Sequence, residues 1–182
     1  MNATAHPSSR GTILLNALRC LTVTPSTDWE PVRETQRTDV TRRDEYLQNV
    51  AGPNCMGCHY LIAPLGLPFE NFDGWGDYRT EDNGFPVDAS GGIPDLEIEV
   101  VGARDLGAVF ANELASETEH CVARRVVAYA LGEPDTLQMS VFDEPECFER
   151  LNPELMALED ASFLEWVLAL VGSPVFLSEY SQ

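Results

Sequence analysis

The chain contains no lysine: all eleven basic residues are arginine, set against thirty Asp and Glu, for a net charge of −19. With no basic stripe to displace phosphate counterions, nucleic acid is not an expected partner. An anionic membrane surface is disfavoured on the same ground, and a docking protein is expected to present a basic face. No run of eighteen apolar residues exists either, so no membrane-spanning helix is predicted. The stretch Gly11 to Leu21 does not read as a leader peptide. Asn16 and Arg19 interrupt its apolar run, and Arg19 stands where cleavage before Cys20 needs a small side chain. Histidine is scarce at three residues, which leaves His6, His59 and His120 as the only imidazole ligands.

An apolar fraction of 44% with three Trp, five Tyr and eight Phe is enough for one folded core in 182 residues, and thirteen Gly with twelve Pro predict many turns. Ser8 or Ser9 caps a first helix whose stripe is Ile13, Leu14, Leu18 and Leu21. Residues 22–40 read as a linker. Thr41 with Asp44 and Glu45 predicts a capped short helix through Tyr46, Leu47 and Val50, stopped at Gly52-Pro53. Pro64, Gly66 and Pro68 argue against a long helix and for a single turn near Phe69 to Phe72. Asn83-Gly84 between Tyr78–Thr80 and Phe85–Val87 predicts a tight hairpin rather than a calcium loop, and Leu96 to Val101 a further short strand. Helices follow over Asp105 to Leu114, from a Ser116/Glu119 capping box to Gly132, and from a Ser162/Glu165 box along Phe163, Trp166, Val167, Leu170 and Val171. The expected fold is mainly α with a small β-hairpin insert. Its N-terminal helix and linker span 1–40, its helical domain spans 41–182, and the hairpin lies near 76–101.

One motif carries chemistry. Cys55-Met56-Gly57-Cys58-His59 has the C-x-x-C-H spacing of a haem c attachment site. Two thiols three residues apart can each add to one vinyl group of a haem, and the adjoining imidazole is then close enough to bind the iron. A thioredoxin-like pair would need a preceding strand, which Gln48 to Asn54 do not supply. A structural zinc would need one or two further ligands, such as Cys121, Cys147, His59 or His120, without the usual second paired spacing. A plain Cys55–Cys58 disulfide is the remaining alternative. The cofactor-binding residues are therefore expected to be Cys55, Cys58 and His59, holding one covalent haem c. No catalytic residue is expected.

In order, Arg10-Gly11, Cys55 to His59, Ile62-Ala63-Pro64-Leu65-Gly66, Phe69-Glu70-Asn71-Phe72-Asp73, Asp88-Ala89-Ser90-Gly91, and Cys121 with Tyr129-Ala130-Leu131-Gly132 run along the chain. This succession resembles the paired C-terminal modules, named only as domains of unknown function, of large exported cytochrome-c-like proteins from environmental bacteria. The resemblance extends from about His6 to Phe176. It departs from the family pattern at Ala63, where an Asp is usual, and at Leu67-Pro68. It implies a haem-binding redox module whose substrate is not established, with no catalytic residue to carry over. Covalent haem attachment adds the expectation of a cytochrome-c-like module outside the cytoplasm, in the periplasm, that transfers electrons to a redox partner protein. With no export signal in the chain, such a module is expected to belong to a longer polypeptide or to start upstream of Met1.

For the iron's second axial position Met139 is the leading candidate, with core filling as its plain alternative. His120 comes next, Met156 and His6 are weaker, and an open iron site would permit peroxidase-like or other oxidoreductase chemistry. Cys121 and Cys147 are expected to form a disulfide, leaving Cys20 as the odd thiol. Tyr60, Phe69, Phe72 and Trp75 are expected to line the haem, or else to be ordinary core. Arg124-Arg125 fit haem propionates no better than a surface role. Glu70, Asp73, Asp77 and Asp88 read as a solvated acidic face more readily than as a cation site.

Overall fold

The computed structural model describes residues 6–23, 37–130 and 162–173, and the chain divides into two compact units, Met1–Ala115 and Ser116–Gln182. Among the described residues the fold is mainly helical, with two small antiparallel two-stranded sheets.

In the first unit, helix α1 (Pro7–Arg19) starts on a proline, whose missing N–H is one of the donors a helix start leaves unpaired in any case. His6 occupies the cap position, so neither Ser8 nor Ser9 caps this helix. The helix ends at Cys20, in the left-handed conformation at φ 51°, which puts Leu21 outside it and exposed. The buried stripe also differs from the expected one: Ile13 is 65% exposed, whereas Gly11 and Leu15 are buried and Leu14 and Leu18 pack on the core. The cause is α3 (Pro53–Gly66), which approaches α1 backbone to backbone. A Cβ on Gly11 would lie 1.7 Å from the Ile62 carbonyl oxygen, and one on Gly66 would lie 1.9 Å from that of Pro7. The two helices are therefore antiparallel, and the glycines, rather than the branched side chains, define the contact.

Helix α2 (Arg42–Val50) forms as the sequence predicts: the Thr41 side chain accepts a hydrogen bond from the Asp44 N–H. Helix α3 corrects the expectation at Pro64, which lies inside it. The ring removes one intrahelical hydrogen bond, but α1 on one side and the strand β3 on another hold the segment in place. A single 3-10 turn, Leu67–Phe69, follows.

The hairpin pairs β1 (Glu81–Asp82) with β2 (Phe85–Pro86), and Asn83 and Gly84 both adopt positive φ, as its two-residue turn requires. The second sheet pairs β3 (Ser90–Ile93) with β4 (Ile98–Val101). β4 falls within the predicted strand, while its partner carries no alternating pattern because glycine is obligatory there. A Cβ on Gly91 would lie 2.3 Å from the Pro64 carbonyl oxygen, and one on Gly92, 2.0 Å from that of Ile98. Helix α4 (Gly102–Asn112) closes the unit with Leu106, Val109 and Phe110. These three join Leu15, Ile62, Leu65, Ile93 and Val100 in one core, each fully buried side chain contributing about 1.5–3 kcal/mol.

In the second unit, α5 (Ala115–Ala130) begins one residue before Ser116, so Ser116 lies inside the helix instead of capping it. Helix α6 (Phe163–Gly172) has the predicted capping box: the Ser162 hydroxyl accepts from the Glu165 N–H, and the Glu165 carboxylate accepts from the Ser162 N–H. Cys20 and Cys121 are both disulfide cysteines. Cys20 is thus not the odd thiol expected, while Cys147, the expected partner of Cys121, lies outside the described residues.

Candidate functional site

The chain enters the motif from α2 through Ala51, and Gly52 and Pro53 start α3 at once. Cys55, Cys58 and His59 then fall in the first two turns. Spacings of three and four residues set all three on one face of the helix. Cys55 and Cys58 are free thiols, partly exposed, and Met56 and Tyr60 beside them stand 43% and 52% exposed. The thiol pair is therefore reachable from solvent without unfolding any element.

His59 is held more firmly than its neighbours. Its Nδ1 lies 2.7 Å from the hydroxyl of Tyr46 on α2, and the two rings meet edge to face with centroids 5.8 Å apart. Ser8, from the first turn of α1, donates to the same Tyr46 oxygen at 3.0 Å. Three helices thus converge on one nitrogen of the imidazole. Nε2 has no hydrogen-bond partner among the described residues. Burial holds the His59 pKa below the ordinary histidine value and raises that of Tyr46, so the ring is neutral at physiological pH, as a metal ligand must be.

The other expected haem contacts are dispersed. Phe69 packs against the core, Phe72 meets Tyr78 edge to face at 5.6 Å, and Trp75 is 71% exposed. His6 and His120 are exposed, whereas Met139 and Met156 lie outside the described residues. An open groove of about 1180 Å³ on the first unit is walled by Leu67, Gly91, Ile98 and Val109 and edged by Arg43 and Glu99. No residue of the motif lines it.

Of the four acidic residues read as a solvated face, Asp77 and Asp88 are exposed and Asp73 is partly so, whereas Glu70 is buried. Glu70 is 2% exposed, and its Oε2 accepts from Arg79 at 3.0 Å. Arg79 also binds Asp82 and, through Nε, the Glu70 carbonyl at 2.9 Å. Burial raises the Glu70 pKa, opposed by Arg79 and Arg10. Asp73 spends one carboxylate oxygen on the N–H groups of Trp75 and Asp77, at 2.8 and 3.0 Å, while Asp88 pairs with Arg43 at 3.2 Å. Arg10 donates to the carbonyls of Phe69, Phe72 and Asp73 at 2.7, 2.9 and 2.8 Å, clamping this turn to α1. Sequence reasoning missed Tyr46, Ser8 and Arg79. The one available signal was a tyrosine on the short helix just ahead of the motif.

Within the first unit, three of the blocks that carried the resemblance fold on one another: Arg10 of α1 grips the Phe69–Asp73 turn, and Gly11 packs on Ile62 of α3, on which the thiols stand. No curated protein and no solved structure matches the chain. Over residues 1–82, the span holding α1, the Cys55–His59 motif and the Arg79 network, it matches the model of PSCyt3, a family described as protein of unknown function (DUF1588), and so carries a module of the unknown-function kind that the ordered motifs resemble.

Proposed function

We propose that the chain is a c-type cytochrome-like module that binds one covalent haem and transfers electrons. The observation that carries this reading is the disposition of donors on α3: two free thiols and an imidazole on one accessible face, with Nδ1 of His59 anchored and Nε2 unspent. That donor set fits haem c. Cys55 and Cys58 would hold the porphyrin through thioether bonds, and His59 would bind its iron. When bound, the group supplies reversible one-electron exchange at a site near the surface. The chain's own part is to fix the imidazole through Tyr46, to keep it neutral by partial burial, and to hold both thiols at the start of a helix that α1 locks in place. Met139 would be a second ligand to that iron.

Covalent haem attachment of this kind would take place outside the cytoplasm, where thiols otherwise oxidise, so the proposed module is an extracytoplasmic one. With a net charge of −19 and no lysine, the electron partner is expected to dock through a basic face. The full chain, exported behind an added leader in a strain with c-type maturation machinery, should give a haem c pyridine haemochrome spectrum that Cys55→Ser with Cys58→Ser abolishes. Exported, folded protein without a Soret band overturns the reading; one bound zinc per chain in that sample would favour a zinc-stabilised interaction module. A high-spin spectrum that shifts on adding cyanide would instead favour an open-iron enzyme.

A further inference from the structure

We infer that Tyr46 is the positioning residue of the axial imidazole and that Ser8 sets its strength as a hydrogen-bond acceptor; this rests on the haem c reading above. A histidine that binds a metal through Nε2 must carry its remaining proton on Nδ1, and the partner of that N–H fixes the ring and raises its basicity. Here the only group at hydrogen-bond distance from Nδ1 among the described residues is the Tyr46 hydroxyl, at 2.7 Å. In the ligated ring Tyr46 therefore accepts.

The same oxygen receives the Ser8 hydroxyl proton at 3.0 Å. Two donors on one phenolic oxygen share its electron density, so Ser8 weakens the pull that Tyr46 exerts on the Nδ1 proton. The two residues act in opposite senses. Tyr46 increases electron donation from the imidazole and so stabilises the oxidised iron; Ser8 moderates that effect. Both stand on helices other than α3, so the ligand's electronic character is set by how α1 and α2 meet the motif.

The test compares reduction potentials of the exported, haem-loaded full chain as wild type, Tyr46→Phe and Ser8→Ala. Tyr46→Phe should raise the potential and speed solvent exchange of the His59 Nδ1 proton in the reduced protein. Ser8→Ala should lower the potential by a smaller amount and leave that proton protected. A general loosening of the site would move both variants in one direction, so the opposite signs identify the positioning role. A coloured Tyr46→Phe protein with unchanged potential and unchanged exchange overturns the inference while leaving the haem reading intact; a colourless wild type overturns both. Where Tyr46→Phe does not mature, Ser8→Ala decides: a downward shift supports the inference, and no shift or an upward one overturns it.

Discussion

The turn network around Arg79 and the thiol face of α3 use their polar groups in opposite ways. In the network, Arg79 alone serves Glu70 twice and Asp82 once, Arg10 serves three carbonyls, and Asp73 serves two N–H groups. One oxygen of Glu70 is the exception, buried without a partner. On α3, two thiols and one imidazole nitrogen are left unspent, on a surface that also exposes Met56 and Tyr60. Hydrogen-bonding capacity consumed within the chain stabilises the fold. Capacity held ready on a rigid helix is available to a ligand.

Breaking the first region should therefore be felt in stability. Arg79→Ala strands Glu70 as an unpaired buried carboxylate and should cost about 3–5 kcal/mol, read as a lower midpoint in urea at unchanged slope. A loss below about 1 kcal/mol would show that the network is slack. Next in size, Leu15→Ala should cost about 2–5 kcal/mol, whereas Ile13→Ala, two residues earlier, should stay within about 0.5 kcal/mol. Equal costs would mean that the buried face of α1 is misassigned. Cys55→Ser with Cys58→Ser should change the stability of the haem-free chain by no more than about 0.5 kcal/mol, because both thiols are partly exposed and unpaired. A large loss there would make them structural and erase the contrast.

The smallest effect is in pH. Burial lowers the folded-state pKa of His59, so the unfolded chain takes up its proton at a higher pH than the folded one. The stability this gives the haem-free protein is present above the ordinary histidine value and is lost as the pH falls through the folded pKa. His59→Gln should flatten the decline in urea midpoint on acidification from neutral pH; an unchanged decline would assign it to other groups.

What the sequence made legible was local chemistry. Thr41 before Asp44, Ser162 before Glu165 and the Asn83-Gly84 pair each have a short-range mechanism, and each forms where it was expected. The C-x-x-C-H spacing likewise placed three donors on one face once a helix began at Pro53. What it hid was long-range. Pro64 sits within a helix because α1 and β3 brace it, and Ser90–Ile93 is a strand whose glycines answer to Pro64 and Ile98 rather than to any pattern of their own. Ile13 lost the core to Gly11 and Leu15 because two backbones had to touch. Tyr46 meets His59 across 13 positions of chain and Ser8 meets Tyr46 across 38, separations over which a tyrosine or a serine gives no signal. Glu70 reads as surface by residue type and is buried only because Arg79 and Arg10 converge on it.

Intact mass of the denatured, exported chain, taken after acidic organic extraction, tests the central claim most directly. The account predicts a mass raised by one haem that survives extraction and returns to that of the polypeptide when Cys55 and Cys58 are both serine. An exported chain whose mass is that of the bare polypeptide, with both thiols open to alkylation, would contradict it.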